Sequence, residues 1–156
     1  MNQPTIGKVT IRAVETAPEF AMMLYQRWLV LRKPLGMPQG TEFDRYDHLQ
    51  HDHRVVHLIA IDIRSQSIVG SIRLRELSPT LGGIAYVVVM PEFQNQGVGS
   101  ALMQHVILIA KQQAYSQLRV MSRRSAIGFY QRFGFAERGE SIHYLDTPHM
   151  FMYLDL

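Results

Sequence analysis

The stretch Tyr86-Val-Val-Val-Met-Pro-Glu-Phe-Gln-Asn-Gln-Gly-Val-Gly-Ser100, followed by an apolar run at 101–110, decides how the rest of the chain is interpreted. It predicts a buried strand, a tight turn, a glycine-containing loop and then a helix. Gly97 and Gly99 stand where that helix begins. Main-chain N–H groups can approach an anion closely at such a point, and the helix N-terminus adds about half a positive elementary charge. The stretch therefore predicts a phosphate-binding turn, and the alternative is a helix that merely begins with small residues.

The composition fits one domain over residues 1–156, large enough for a single hydrophobic core. There is no cysteine, which excludes disulfides, a thiol nucleophile and a cysteine-ligated metal. Residues 1–8 lack the apolar segment of a signal peptide, and no apolar run reaches the roughly 18 residues that a membrane span needs. We expect a cytoplasmic protein without a membrane partner.

The chain carries a formal net charge of +3 and has a pI near 9.4, with its Arg and Lys residues scattered along the sequence. This balance suits a protein that binds a polyanionic small molecule as well as one that binds nucleic acid. Since no block of about five like charges is present, we expect no nucleic-acid partner. A basic nucleic-acid-binding domain is the rival interpretation.

Hydrophobic periodicity and turn residues predict one α/β domain with a mixed sheet. The predicted elements are a strand at 8–14, a helix from the N-cap Thr16 to Pro34, strands at 54–63 and 68–77 joined by a hairpin turn, a strand at 84–90, a helix at 99–113, a strand at 117–122, a short helix capped by Ser125 and ended by Gly134, and a closing segment at 142–154 with a turn at 146–148. Because a helix connects the strands at 84–90 and 117–122, we expect them to be parallel.

Three carboxylates, Glu42, Asp44 and Asp47, lie within six residues of one another. They form either the solvated, capped start of a short helix or a cluster that faces a cationic substrate amine or accepts a proton. Nearby, His48, His51, His53 and His57 invite a metal hypothesis. Their spacing is not that of a zinc helix motif and no cysteine assists, so we expect no metal.

Two motifs resemble those of the GNAT N-acetyltransferase superfamily. Val-Val-Met-Pro-Glu-Phe-Gln-x-x-Gly-x-Gly-Ser-Ala-Leu-Met at 88–103 resembles its acyl-CoA-binding motif, Arg/Gln-x-x-Gly-x-Gly/Ala. Ser-Ala-Ile-Gly-Phe-Tyr-Gln-Arg-Phe-Gly-Phe at 125–135 resembles its second signature, which ends in Phe/Leu-Tyr-x-x-x-Gly-Phe. The element order also matches from about residue 6 onward. Arg27-x-x-Val-Leu-Arg32 with the carboxylates at 42–47 is similar to a bacterial subgroup.

The resemblance implies a GNAT fold, with antiparallel N-terminal strands, splayed parallel fourth and fifth strands, and helices on both faces. It also implies an acetyl-CoA site. The edge of the fourth strand would pair with the pantetheine arm, and an amide there would polarise the thioester oxygen. The amides of the following loop would hold the pyrophosphate. The implied cofactor-binding residues are Val88, Val89, Met90, Gln94, Asn95, Gln96, Gly97, Val98, Gly99 and Ser100.

By the same resemblance, Tyr130 would lie near the thioester sulfur and act as general acid to the leaving thiolate. Its structural alternative is core packing. Many family members carry Asn seven residues before this Tyr, where its amide contacts the cofactor. The present chain departs from that pattern with Arg123, which either contacts the phosphates instead or makes no such contact. The general base stays open among Glu42, Asp44, His143, His149 and a water chain.

Arg27 and Arg32 either bind a substrate carboxylate or are charges on a helix surface, and Asp44 is a further candidate for substrate contact. The expected reaction is direct attack of a neutral primary amine, on a small molecule, peptide or protein, on acetyl-CoA. A longer acyl donor is the alternative within enzymes, and a CoA-binding sensor or interaction module is the alternative outside them. A homodimer is common in such folds.

Overall fold

The computed structural model describes residues 5–6, 8–48 and 52–156, which contain nine strands and three α-helices. The helices are α1 (Ala17–Arg27), α2 (Val98–Gln112) and α3 (Ile127–Gln131). The strands are β1 (Thr5–Ile6), β2 (Val9–Ala13), β3 (Val55–Asp62), β4 (Ile68–Ser78), β5 (Leu81–Val89), β6 (Gln117–Arg123), β7 (Ala136–Glu137), β8 (Ile142–Tyr144) and β9 (Thr147–Asp155). None of the helices in these residues is long and apolar enough to cross a membrane.

The strands are hydrogen-bonded in the order β1-β2-β3-β4-β5-β6-β9-β7, with β8 paired to β9. Neighbours β1, β2 and β3 are antiparallel, whereas β5 and β6 are parallel, as expected for strands joined through a helix. The mixed α/β sheet predicted from the sequence is therefore confirmed. The backbone divides into two compact units, one comprising Met1–Leu74 and Tyr86–Val106 and the other Arg75–Ala85 and Ile107–Leu156.

In the first unit, α1 begins as its sequence predicts. The Thr16 side chain caps the N–H of Glu19, and the Glu19 carboxylate accepts in return from the N–H of Thr16, which forms a capping box. After α1 the chain continues through a π-helical turn, Trp28–Arg32, and a 3₁₀ turn, Lys33–Leu35. Gly36 then ends the helical run with a φ of +73°, a left-handed conformation that glycine adopts without a steric penalty.

Gly70 in β4 lets α2 and β5 approach closely. A Cβ atom at this position would lie 2.8 Å from the carbonyl oxygen of Val88, and 3.2 Å and 3.3 Å from side-chain carbons of Val98 and Leu102. The close backbone approach that a glycine in a strand predicts is thus observed. It places the start of α2 directly against β4, and it packs the β4 backbone against Val88.

In the second unit, the parallel ladder between β5 and β6 runs from Leu81↔Gln117 to Ile84↔Val120 and ends there. β6 continues to Arg123 and is paired with β9 in antiparallel fashion from Gln117 to Arg123. The closing segment is a hairpin of β8 and β9. Leu145 and Asp146 form its turn with φ values of +52° and +59°, the backbone that two-residue hairpins favour.

Three local predictions were wrong. The turn expected at 146–148 lies instead at Leu145 and Asp146, because Thr147 and Pro148 already belong to β9 and pair with β8. Ser125 does not cap α3, because residues 124–126 form a 3₁₀ turn and Ala126 occupies the N-cap position without a side-chain hydrogen bond. Residues 41–48 form turns instead of a short helix. The Asp47 carboxylate accepts from the N–H of Asp44 at 2.9 Å, and Asp44 accepts from the N–H of Tyr46 at 2.9 Å. Such local side-chain bonds compete with helix formation.

Candidate active site

The loop that joins β5 to α2 has the backbone of an anion-binding turn. Asn95 and Gly97 have φ values of +61° and +86°, and α2 begins immediately after them at Val98. The first intrahelical bond runs from the N–H of Ala101 to the carbonyl of Gly97 at 3.0 Å. The N–H groups at 98–100 precede that bond, so they are available to a ligand at the positive end of the helix.

Two glutamines in this loop brace its backbone. The side-chain amide of Gln94 donates to the carbonyl of Val89 at 3.0 Å, and that of Gln96 donates to the carbonyl of Glu92 at 3.0 Å. Residues 94–97 are exposed. The two glutamine side chains therefore hold the shape of the loop, and its main-chain N–H groups remain accessible to a ligand.

The end of β5 supplies a second set of main-chain groups. The N–H of Met90 donates to the carbonyl of Val69 in β4 at 2.8 Å, so it is already used inside the sheet. Because successive N–H groups along a strand alternate in direction, the N–H of Val89 points away from β4. Among Val88, Val89 and Met90, the geometry thus favours Val89 as the amide that could polarise a ligand oxygen.

β5 is bent at Tyr86, whose φ is +55°. A bulky residue with positive φ inside a strand is unusual and costs about 1–3 kcal/mol, so the surrounding structure must compensate for it. A left-handed residue turns the strand locally, as the first residue of a G1 bulge does. The bend lies three residues before Val89.

A buried polar cluster surrounds Tyr86, and we call it the Tyr86 cluster. Its members are Arg27 from α1, Asp44 and Asp47 from the loop before β3, His57 from β3, Arg73 from β4 and Tyr86 itself, all within the first unit. Of the two interpretations that the sequence offers for Arg27, the helix-surface charge is wrong, because the Arg27 side chain is 1% exposed and forms an ion pair with Asp47.

The Tyr86 cluster is held by shared ion pairs. The side chain of Asp47 is fully buried and forms ion pairs with both Arg27 and Arg73, with one oxygen 3.0 Å from Nη1 of Arg27 and 3.1 Å from Nη1 of Arg73. Arg73 also donates to Asp44 at 2.8 Å, and the hydroxyl of Tyr86 donates to the other Asp44 oxygen at 3.1 Å. Two guanidinium groups are thereby matched by two carboxylates, which buried charges require.

The Tyr86 ring is also in contact with cations. The guanidinium carbons of Arg27 and Arg73 lie 4.1 Å and 4.9 Å from its centroid, within the range of a cation–π attraction. Burial, with a contribution from Asp44, raises the pKa of Tyr86 to about 12. Its hydroxyl is therefore neutral at physiological pH and available as a hydrogen-bond donor to Asp44.

His57 is held in its neutral form by this environment. Burial and the nearby charge of Arg27 lower the pKa of His57 to about 4. Nδ1 of His57 lies 3.3 Å from Nη2 of Arg27. Since a guanidinium can only donate, Nδ1 accepts and the ring proton resides on Nε2, which faces Asp47 at 3.9 Å. His57 thus completes the cluster without adding a third positive charge.

Glu42 and Arg32 stabilise the loop that leads into the cluster. The Glu42 carboxylate accepts from the N–H of Gly40 at 2.7 Å, and Nε of Arg32 donates to the carbonyl of Thr41 at 3.1 Å. Both residues are 7% exposed. Arg32 is therefore not a helix-surface charge either, and Glu42 as a general base stays a prediction.

In the second unit, Tyr130 is buried in α3 between Phe129 and Phe135, whose ring centroids lie 5.2 Å and 5.8 Å away. Burial raises the pKa of Tyr130 to about 12, against an opposing effect of Arg123. The phenol is thus protonated over the physiological range. Arg123 itself is exposed at the end of β6.

His149 in β9 has a defined tautomer. Its Nδ1 lies 2.8 Å from the carbonyl oxygen of Thr147. A carbonyl only accepts, so Nδ1 carries the proton and Nε2 keeps a lone pair that can accept another. His143, the other histidine candidate for a base in this region, is exposed.

The structure describes His48, His53 and His57 among the histidines that the metal hypothesis named. His57 belongs to the Tyr86 cluster and His53 is exposed, while His51 lies outside the described residues. Within residues 5–6, 8–48 and 52–156, no group of three or more His, Asp or Glu side chains is placed to hold a metal ion.

Comparison with known proteins identifies the family. The family model described as "Acetyltransferase (GNAT) family" matches residues 21–135, about three quarters of the chain. The chain belongs to the GNAT acetyltransferase family. A protein of Bacillus subtilis (strain 168), named as a candidate acetyltransferase, is 27% identical over 118 residues, which is 75% of this chain and 76% of that protein.

Solved GNAT structures share the fold. An acyl-CoA N-acyltransferase from Pseudomonas aeruginosa has a TM-score of 0.77 at 24% identity, covering 93% of this chain and 97% of its own. A GNAT family acetyltransferase from Elizabethkingia anophelis, solved with acetyl-CoA bound, has a TM-score of 0.66 at 21% identity, covering 97% of this chain and 100% of its own. At these identities the likeness establishes the fold of this GNAT chain.

We predict that His57 makes the stability of this GNAT protein depend on pH. The pKa of His57 is lowered in the folded state, so between about pH 6.5 and pH 4 the unfolded state binds more protons and the free energy of unfolding falls as pH falls. His57→Gln keeps an acceptor for Arg27 but does not titrate. The wild-type protein should lose about 1–3 kcal/mol more than the variant across this range.

Denaturant unfolding followed by the fluorescence of Trp28, the single tryptophan, measures this difference. His53→Gln, at an exposed position, is the matched control and should follow the wild-type pH dependence. Parallel curves for the wild type and His57→Gln would contradict the assignment of a depressed pKa to His57.

Proposed function

We propose that this GNAT protein transfers the acetyl group of acetyl-CoA to a primary amine. The observation that carries the proposal is the β5–α2 connection. It combines an exposed loop with two left-handed residues, free N–H groups at the start of α2, and a strand end whose Val89 N–H points away from β4. A phosphate group fits such a helix N-terminus, and an extended pantetheine arm fits such a strand edge.

The chain's own residues fit CoA in a specific way. The N–H groups at 98–100 would bind the pyrophosphate, with Asn95 and Gly97 setting the backbone and Gln94 and Gln96 bracing it. The exposed guanidinium of Arg123 is a further candidate for a phosphate contact. The bound acetyl-CoA of the Elizabethkingia anophelis relative supports this choice of cofactor.

Acetyl-CoA supplies an activated thioester, and the protein supplies polarisation and proton transfer. In our proposal the Val89 N–H donates to the thioester oxygen, where negative charge develops as the amine attacks. Tyr130, whose phenol stays protonated to high pH, donates a proton to the departing sulfur. The acceptor amine must be neutral before attack, so a base must remove one proton from its ammonium form.

His149 is our preferred base, because its Nε2 lone pair is fixed by the bond that Nδ1 makes to Thr147. Glu42 is the weaker candidate, since its carboxylate is buried and already accepts from Gly40. Our proposal requires only a primary amine in the acceptor and assigns none of Arg27, Arg32 and Asp44 to it, because the two arginines are buried and both Asp44 oxygens are already bonded to Arg73 and Tyr86. A peptide amine and a small-molecule amine fit this description equally.

We expect acetyl-CoA to raise the melting temperature of the protein. At a free concentration about 100 times Kd, a ligand that binds only the folded state adds about 2.7 kcal/mol, which corresponds to a rise of about 5–10 °C for a chain of this size. Gly97→Ala should reduce this rise in melting temperature, because alanine disfavours the φ of +86° on which the backbone conformation of the loop depends.

Gly36→Ala is the matched control for this experiment. Gly36 has a φ of +73° and, like Gly97, open space around an added Cβ, but it ends the α1 helical run instead of the β5–α2 loop. It should lower the melting temperature of the free protein and leave the acetyl-CoA shift intact. No shift of the wild-type protein at millimolar acetyl-CoA would refute the cofactor assignment.

We also expect Tyr130→Phe to lower kcat by about 100-fold or more, since a positioned general acid contributes at least that factor, while Kd for acetyl-CoA changes less than about twofold. Release of free CoA over a panel of small amines and peptides identifies the acceptor and gives kcat. Tyr153→Phe, whose ring packs on Arg138 at 4.3 Å, is the control and should keep wild-type turnover.

The same panel separates an enzyme from a sensor. Binding of acetyl-CoA without CoA release from any amine would favour a CoA-binding module over a transferase. If CoA is released faster from a longer acyl-CoA than from acetyl-CoA, the longer acyl-CoA is the preferred donor. Unchanged turnover in Tyr130→Phe would remove Tyr130 from the mechanism.

A further inference from the structure

We propose that the Tyr86 cluster is a positioning device that fixes the bend of β5 and thereby sets where the Val89 N–H meets the acyl oxygen. The inference rests on the proposed function, because it concerns the same strand edge. It adds Tyr86, Asp44, Arg27 and Arg73 to the machinery as positioning residues, which act through the β5 backbone without touching the reacting atoms.

The first reason is the backbone of Tyr86. Its φ of +55° is a left-handed conformation in the middle of an otherwise extended strand. Nothing in the local sequence favours that conformation, since the residues that follow are three valines and β-branched residues prefer extended backbone. The bend is therefore imposed by contacts that the Tyr86 side chain makes elsewhere.

The second reason is the source of those contacts, which come from three separate elements. The Tyr86 hydroxyl donates to Asp44 of the loop before β3 at 3.1 Å. Its ring lies 4.1 Å from the guanidinium of Arg27 in α1 and 4.9 Å from that of Arg73 in β4. Both guanidinium groups are in turn fixed by Asp47. The side chain of Tyr86 is consequently held from several directions.

The third reason is that the segment between Tyr86 and Met90 is anchored at both ends. Downstream, the Met90 N–H donates to the carbonyl of Val69 at 2.8 Å. Upstream, the Tyr86 cluster supplies the anchor. Along the segment, the carbonyl of Val88 would lie only 2.8 Å from a Cβ at Gly70, so the backbone rests directly on β4. If the contacts of the Tyr86 cluster are weakened, only the Met90–Val69 hydrogen bond fixes the direction of the Val89 N–H.

Tyr86→Phe and Asp44→Asn test the inference. The first removes only the hydroxyl, and the second keeps an oxygen that accepts from Tyr86 while removing the charge that Arg73 pairs with. Tyr25→Phe, on an α1 tyrosine that is 46% exposed, is the matched control. For each protein, the acceptor-dependent kcat, Kd for CoA, melting temperature and hydrogen exchange of the amides at 87–89 are measured.

We expect Tyr86→Phe to lower kcat by about 10- to 100-fold, the effect of a small displacement of a catalytic group. Asp44→Asn should lower kcat less, because its amide oxygen still accepts from Tyr86. Kd for CoA should stay within about twofold of the wild-type value, since the loop that holds the pyrophosphate is unchanged. The amides at 87–89 should exchange faster in Tyr86→Phe at temperatures where the protein remains folded, and Tyr25→Phe should match the wild type in every readout.

Equal kcat and equal exchange in Tyr86→Phe and Tyr25→Phe, with an active wild-type enzyme, would overturn the positioning role and leave the proposed function standing. A parallel loss of kcat and of CoA affinity would overturn it as well, because that pattern indicates general damage to the fold. A wild-type protein that binds CoA but transfers no acyl group would refute the proposed function first, and the positioning role with it.

Discussion

One buried carboxylate, that of Asp47, holds the first unit together by accepting two guanidinium groups. Its oxygen lies 3.0 Å from Arg27 and 3.1 Å from Arg73, and its side chain has no exposed surface. Removing it would leave Arg27 buried without a carboxylate and Arg73 with Asp44 alone, and breaking a buried ion pair typically costs about 3–5 kcal/mol. The interaction ties α1 and β4 to the loop before β3, and everything that surrounds Tyr86 depends on it.

The two halves of the proposed cofactor site are stabilised in different ways. The β5–α2 loop is a local structure, in which left-handed residues and two glutamine side chains fix the backbone within a few positions of one another. The end of β5 is a long-range structure, since its bend at Tyr86 is held by residues 13 to 59 positions away. Substitutions around Tyr86 could thus change the direction of the N–H groups at the end of β5 while the β5–α2 loop keeps its backbone.

These two modes explain what the sequence could and could not predict. Gly97 at the start of a helix, the N-cap at Thr16 and the parallel pairing of β5 with β6 follow from short patterns, and each is observed. The short helix that was one interpretation of residues 41–48 does not form. Asp44 and Asp47 accept hydrogen bonds from nearby backbone N–H groups and pair with Arg73 instead. Single charged residues default to the surface in any sequence interpretation, so the Tyr86 cluster was missed.

A signal for the cluster was nonetheless present in the sequence. Arg27 shares the helical spacing of Met23, Leu24 and Leu31, so it lies on the apolar stripe of α1, and Arg73 stands between Ile72 and Leu74 in a strand that is buried on both faces. A charge in an apolar stripe predicts a buried partner of opposite charge. The identity of that partner depends on tertiary pairing. The positive φ of Tyr86 could not be predicted either, because three valines follow it and they favour extended backbone.

The most direct test of the central claim, that the β5–α2 connection binds an acyl-CoA with Val89 at the acyl oxygen, is a comparison of amide chemical shifts on titration with CoA and with acetyl-CoA. The account predicts that the amides at 98–100 shift with both ligands and that the Val89 amide shifts strongly only with acetyl-CoA, because CoA has no acyl oxygen. Shifts confined to other parts of the chain, or a Val89 amide that responds equally to both ligands, would contradict it.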